Sequence, residues 1–416
     1  MATNPLELAK DRTGVFKNFL QAEKDMGANS EQLAFLDRGI DKSIYKKFIS
    51  NYPNYLSSEP DGVKVISFGA DAGTSTSSQK VIFSPYPKVG ELPKIDPSGL
   101  NFLHDDIKQA CICMGSFAEG KIQTKWLGKN ALNKAQFWSA TKFISLLYLI
   151  DRVNGSFPDV AISDCVVRDA DGQVDDISFY DLAQDMVTYA EQIATSNSLA
   201  AMFKRFVSRA NLEQWVKKMT GNNDLSFRGD YGESAFIENP ELYDPIQNRV
   251  LLAAVNNTAS GDNLLSAYDL TRLVSMLGWH YNVDKSSRLP GARWYSLECV
   301  VRAMGNDSAR YVDAAIETLG LKNVISSPVI ISKLGHGVSQ IRQSVETSYV
   351  ALVQCVDERS KVNGKPAKLR TLAMTLRGAK PVQDLDNYDR EAIELDARIT
   401  AEVTEILRRV FAEELP

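Results

Sequence analysis

The chain has 416 residues, more than a single core of ordinary size accommodates, so one large domain with an appendage, or two domains, is expected. Apolar residues make up 44% and charged residues 24%, the composition of a folded chain rather than a disordered one. With a formal charge of -5 and no Lys/Arg run interleaved with aromatics there is no basic field for a polyanion, and no apolar run reaches membrane-spanning length. Neither nucleic acid nor a membrane is therefore an expected partner.

The N-terminus, Met1 to Lys17, carries acidic and basic residues where a secretory leader would carry an apolar core, which reads as cytoplasmic, or as periplasmic had a leader been removed. From Pro5 to Tyr55, helical spacing of Leu, Phe and Ile predicts two or three short amphipathic helices. Val63 to Phe68 reads as a strand and Ala70 to Gln79 as a Gly/Ser/Thr-rich loop without the Gly-Lys-Ser/Thr ending of a phosphate loop. Four prolines between Ser84 and Gly99 mark a linker, so residues 1–99 are expected to form a mainly helical extension and 100–416 the main domain. Ile107 to Phe117 and Lys121 to Leu127 form a predicted hairpin around Ala118-Glu119-Gly120. Helices are expected over Asp181–Ala194, Leu199–Val207, Asn211–Met219 and Ser266–Leu277, with a polar, irregular segment from Asn222 to Asn248. Val329–Lys333, Tyr349–Val356 and Leu369–Leu376 read as strands, and Glu391–Glu414 as a long closing helix. Strands at both ends with helices between them predict one sheet assembled from distant parts of the chain.

Cys111, Cys113, Cys165, Cys299 and Cys355 contain no C-x-x-C pair and read as free thiols, not as a disulfide frame or zinc site. His104 beside Asp105 and Asp106 reads as a surface turn, and His280 as packing near Trp279. No cofactor and no metal is expected.

The chemistry is concentrated in three stretches. Ser139-Ala-Thr-Lys142 opens an apolar run, Phe143 to Ile150, and on a helix residues i and i+3 share a face, so the amine can lie beside the hydroxyl. Burial makes a lysine shed its proton more easily and fits it to act as a base. Ser196-Asn197-Ser198 places hydroxyls at a helix junction, where they could equally be N-caps, and Ser332-Lys333-Leu334-Gly335-His336-Gly337 puts a lysine and two glycines on a strand.

In order and spacing, these stretches resemble the penicillin-recognising serine hydrolases, the superfamily of serine beta-lactamases and D,D-peptidases, whose motifs are Ser-x-x-Lys, Ser-x-Asn and Lys-Thr/Ser-Gly. The likeness is nearest to the class A arrangement and spans about Leu100 to Glu414. It implies an α/β fold of the α+β sandwich type. An antiparallel sheet would be covered by N- and C-terminal helices, with an all-helical subdomain at about 135–285. It implies Ser139 as nucleophile, Lys142 as its base, Ser196 as a proton shuttle and Lys333 as the third-motif lysine. Ser198 stands where the family has Asn, Leu334 where it has Thr/Ser, and the oxyanion would lie between the backbone N–H groups of Ser139 and His336. Gly335 fits a strand that a substrate backbone approaches closely. Ile237 to Tyr243 resembles the class A omega loop; a gapless match puts Asn239 at the deacylating glutamate, and a one-residue shift restores Glu238.

The implied activity is acyl transfer from a small-molecule or peptide-like amide or ester, as a peptidase, amidase, esterase or weak beta-lactamase. A serine-dependent glutaminase-like amidase is one alternative. A non-catalytic binding or scaffold protein that keeps the fold, with Pro5 to Tyr55 as its interaction surface, is the other.

Overall fold

The computed structural model describes residues 4–57, 65–67, 83–118, 121–255 and 260–415. Its frame is a sheet of five long antiparallel strands, β1 (Ile107–Ala118), β2 (Lys121–Lys129), β3 (Ile325–Ser339), β4 (Ser344–Asp357) and β5 (Ala367–Pro381), in the order β3–β4–β5–β1–β2. Alternation along each strand sends neighbouring residues to opposite faces. In β1, Cys111 and Cys113 enter one core while Ala110, Ile112 and Met114 enter the other. A run that reads as continuously apolar is thus a strand buried on both sides. All five cysteines are free and buried.

On one face lie α1 (Arg12–Met26), α8 (Tyr311–Thr318) and α9 (Asp389–Ala412). The other face carries α2 (Phe143–Ser156), α3 (Phe179–Thr188), α4 (Ser196–Phe203), α5 (Arg209–Thr220), α6 (Ala267–Gly278) and α7 (Trp294–Gly305). The α1 start is set by Asp11, whose carboxylate accepts the Gly14 N–H, and its end by Gly27 in the left-handed conformation. A capping box between Ser266 and Asp269 starts α6.

Leu33, Phe35 and Leu36 share a core with Val345, Tyr349 and the α9 residues Leu395 and Ile399, so part of the helical stretch expected at residues 1–99 packs onto the main sheet. One expectation changes. The region 135–285 is not all-helical, because Val166–Asp169, Ile177–Ser178, Pro240–Asp244 and Arg249–Ala253 form a four-stranded sheet. His280 stacks on Trp294, with ring centroids 6.3 Å apart. Val65–Ser67 pairs in parallel with β5. The loop Ala70–Gln79 and the hairpin tip Glu119–Gly120 lie outside the described residues. Among the described residues no helix is long and apolar enough to cross a membrane.

Candidate active site

A 3-10 turn, Trp138–Thr141, precedes α2 and carries Ser139 at the edge of β3. Trp138 takes a left-handed conformation, φ 52°, which costs a non-glycine residue about 1–2 kcal/mol. Its indole offsets this by donating to the Glu346 carboxylate at 3.0 Å, and Glu346, fully buried, is held by Arg342 at 2.6 Å and Arg377 at 2.7 Å. The turn sits on two glycines of β3. A Cβ at position 335 would stand 2.4 Å from Phe137 O, 2.7 Å from Ala140 N and 3.0 Å from Ser139 N, and one at 337 would stand 2.7 Å from the Trp138 indole. Gly335 therefore admits the close approach of the Trp138–Thr141 turn to β3.

Lys142 is fully buried. Its Nζ donates to Ser196 Oγ at 2.8 Å and to Asn197 Oδ1 at 2.7 Å. Desolvation, and then the nearby Lys333 charge, pull its pKa down to about 6, against a smaller opposing effect of Glu233. A neutral amine has two hydrogens and one lone pair. With both hydrogens engaged by Ser196 and Asn197, the lone pair is left to accept a proton. Ser196 Oγ in turn donates to the Met186 carbonyl at 2.6 Å.

Lys333 is fully buried, with Asp307 4.0 Å away, and its Nζ donates to Leu334 O at 3.2 Å. Burial lowers its pKa and raises that of Asp307, so desolvation disfavours the ionised form of both groups. Two tyrosines flank the lysines. The Tyr189 ring lies 3.9 Å from Lys333 Nζ and 5.3 Å from Lys142 Nζ, and the Tyr231 ring lies 5.4 Å from Lys142 Nζ. Tyr231 also shares a 3.0 Å hydrogen bond with Thr141 Oγ1.

These groups open on a cleft of about 630 Å³. One side is formed by Trp138, Ser139, Tyr189, Asn197, Leu334 and His336; the segment Ser30 to Asp37 closes another. His336 Nδ1 lies 2.9 Å from Thr347 Oγ1, and burial lowers its pKa. Ser139, Lys142, Ser196, Lys333, Gly335 and His336 are thus gathered in one place.

Ser198 and Glu238 are not. The helix α4 begins at Ser196 with Thr195 as its cap, and successive helical residues turn by about 100°, so Asn197 reaches Lys142 while Ser198 is carried away. Ser198 is seen only through its backbone, its N–H on Thr195 Oγ1 and its carbonyl accepting from Phe236 N. Glu238 precedes the strand Pro240–Asp244 and pairs with Arg205 at 3.2 Å, its side chain 58% exposed. The carboxylate tied to the site is Glu233, which accepts from Asn197 Nδ2 at 3.0 Å. Asn197, Tyr189, Tyr231, Glu233 and the segment 30–37 were not foreseen from the sequence. Only Asn197 had a signal there, the Thr195-Ser196 pair that starts a helix three residues before Leu199.

No protein-family model matches the sequence, and no curated protein does. Among solved structures the chain is similar to a beta-lactamase from Chitinophaga pinensis (11% identity, TM-score 0.42, 72% of this chain and 93% of that one). It is similar to a beta-lactamase from Streptosporangium roseum (12%, TM-score 0.40, 75% and 97%). A third likeness is to the D,D-transpeptidase domain of a peptidoglycan glycosyltransferase from Eggerthella lenta (8%, TM-score 0.35, 76% and 82%). The neighbours are beta-lactamases and a D,D-transpeptidase domain. The chemistry of the cleft rests on this chain's own residues.

Proposed function

We propose that the protein is a serine acyl-hydrolase that cleaves an amide or ester through an acyl-Ser139 intermediate. The observation that carries this reading is Lys142, buried, with a pKa near 6 and both amine hydrogens engaged, three residues from Ser139. Ser139 Oγ attacks the carbonyl carbon while its proton passes to Lys142 Nζ. The oxyanion gathers at the backbone N–H groups of Ser139 and His336, which the close seat of the turn on Gly335 brings to neighbouring positions. As the tetrahedral adduct collapses, Lys142 returns a proton through Ser196, whose own hydrogen turns from Met186 O to the leaving nitrogen or oxygen. Water then attacks the ester, releasing the acid and free Ser139. Leu334 lines the cleft where the beta-lactam enzymes carry a hydroxyl for the substrate carboxylate, which disfavours penicillins relative to neutral esters and amides.

The test is mass spectrometry after treatment with a fluorophosphonate. One adduct on Ser139 is expected, lost in Ser139→Ala and in Lys142→Ala. An intact protein that takes up no acylating or phosphonylating probe refutes the mechanism and leaves the scaffold alternative. Release of ammonia from glutamine would identify the amidase branch.

A further inference from the structure

The segment Ser30 to Asp37 brings two acids, Glu31 and Asp37, to the cleft that holds Ser139. Among the described residues that line this cleft there is no Lys or Arg. A third acid in its wall, Asp230, is already paired with Arg209. Asp37 has no such partner among the described residues. Its Oδ2 accepts the Leu33 N–H at 3.0 Å, and its basic neighbour in sequence, Arg38, is turned away to Glu317 at 2.9 Å. Asp37 is nevertheless exposed where it lines the cleft, so a group that enters can reach it. Leu33, Leu36, Leu334 and the rings of Trp138, Tyr189 and Tyr231 supply apolar surface in the same cleft.

We propose that the cleft selects a cationic substrate, an ester or amide whose carbonyl lies at Ser139 and whose ammonium or guanidinium group pairs with Asp37. The proposal rests on the reading of Ser139 as nucleophile and adds the charge of what it attacks. A carboxylate enclosed by protein without a counter-ion is costly to the free protein, and a cation that enters the cleft offsets that cost. Desolvation, and after it the Asp396 charge, push the Asp37 pKa up to about 6 against the Leu33 hydrogen bond, so the acid is ionised at pH 8. The two buried lysines do not oppose a cation there. Lys142, with a pKa near 6, is neutral, and Lys333 with Asp307 carries no net charge whether the proton sits on the amine or on the acid. A cleft of about 630 Å³ has room for both ends of such a molecule, and its aromatic rings favour a cation over a neutral or anionic group.

The test uses three para-nitrophenyl esters of matched length, those of hexanoate, of its ω-trimethylammonio derivative and of adipate, offered to the full chain at pH 8 in low salt. Acylation breaks the acyl C–O bond, forms the Ser139 ester and releases one nitrophenolate, read by absorbance with Ser139→Ala as blank. The trimethylammonio ester is expected to acylate Ser139 about tenfold faster than hexanoate at low concentration, and adipate more slowly than either. Asp37→Asn keeps an acceptor for the Leu33 N–H and should bring the ratio of cationic to neutral rate close to one. A wild-type ratio at or below one overturns the proposal without recourse to any variant. A ratio that survives in folded Asp37→Asn overturns the role of Asp37. Acylation of Ser139 by hexanoate with no preference for the cation refutes this proposal alone, whereas if no ester and no fluorophosphonate modifies Ser139, the acyl-enzyme reading falls and this proposal with it.

Discussion

Replacing Gly335 by alanine adds one carbon at the point where β3 meets the Trp138–Thr141 turn. That carbon would lie 2.4 Å from Phe137 O and 2.7 Å from Ala140 N, both backbone atoms. Carbon and carbonyl oxygen come no closer than about 3.3 Å in ordinary contacts, so the turn must move by roughly 1 Å relative to the strand. It cannot yield cheaply, because Trp138 at its head is fixed by Glu346, and Lys142 at its end is fixed by Ser196 and Asn197. A displacement of about 1 Å between reacting groups costs on the order of 100-fold in rate. Overpacking of a buried site also costs about 1–3 kcal/mol of stability. The assay is the rate of Ser139 phosphonylation, measured alongside thermal unfolding so that loss of fold is distinguished from loss of geometry. A folded Gly335→Ala variant that labels within threefold of wild type would show that the turn does not depend on this contact, and the reasoning would be wrong.

Labelling should rise about tenfold per pH unit below pH 6 and level off above it, because the proposed base is the neutral form of Lys142 and its pKa is depressed to about 6; a flat profile between pH 5 and 8 would contradict this. Asn197→Leu removes an acceptor from a buried amine and should slow labelling about 10- to 100-fold, while Ser198→Ala stays within about twofold; equal effects would put the second motif back at Ser198. Glu23 is buried, and desolvation followed by the neighbouring Asp396 raises its pKa from 4.5 to about 10. The folded protein therefore holds a proton that the unfolded chain releases above pH 4.5, and the stability this group contributes is lost as pH rises from there toward about 10. Glu23→Gln should equal wild type near pH 4 and gain on it by up to ~1.4 kcal/mol per pH unit above that, read by denaturant unfolding at pH 5 and 8. Parallel stability curves for the two proteins would exclude the shifted proton.

What the sequence discloses depends on how local the determining physics is. The β1–β2 hairpin was legible because its two strands are neighbours in the chain, and α9 because Leu395, Ile399 and Ile406 repeat at helical spacing. α7 escaped notice for the opposite reason. It is buried at Trp294, Leu297, Val300, Val301 and Met304 among others, and only Tyr295, Glu298 and Arg302 mark its exposed side, a face too narrow to stand out as a period. Ser139 and Lys142 were visible because they are three residues apart on one turn. Asn197 was obscured by the register of a helix start, since the family pattern looks for its asparagine two residues after the serine and a helix turns the first one inward. Glu238 was attractive only through the likeness of Ile237 to Tyr243 to the omega loop; the residues that follow it form a strand. Nothing local in Ser30 to Asp37 refers to Ser139, and their meeting is a property of the packed molecule.

That wall has a consequence for how the protein comes into being. Its backbone is held by Asp396 of α9, which accepts from Phe35 N at 2.9 Å, from Leu36 N at 3.3 Å and from Tyr311 Oη at 2.6 Å. The wall is translated early and its anchor late. A ribosome-bound chain that has already made Ser139 and Lys142 still lacks the carboxylate that fastens the cleft's far side, so α2 and its turn can exist before there is a closed place for a substrate to sit. The far side of the cleft is therefore fastened only once α9 has folded against the segment Ser30 to Asp37.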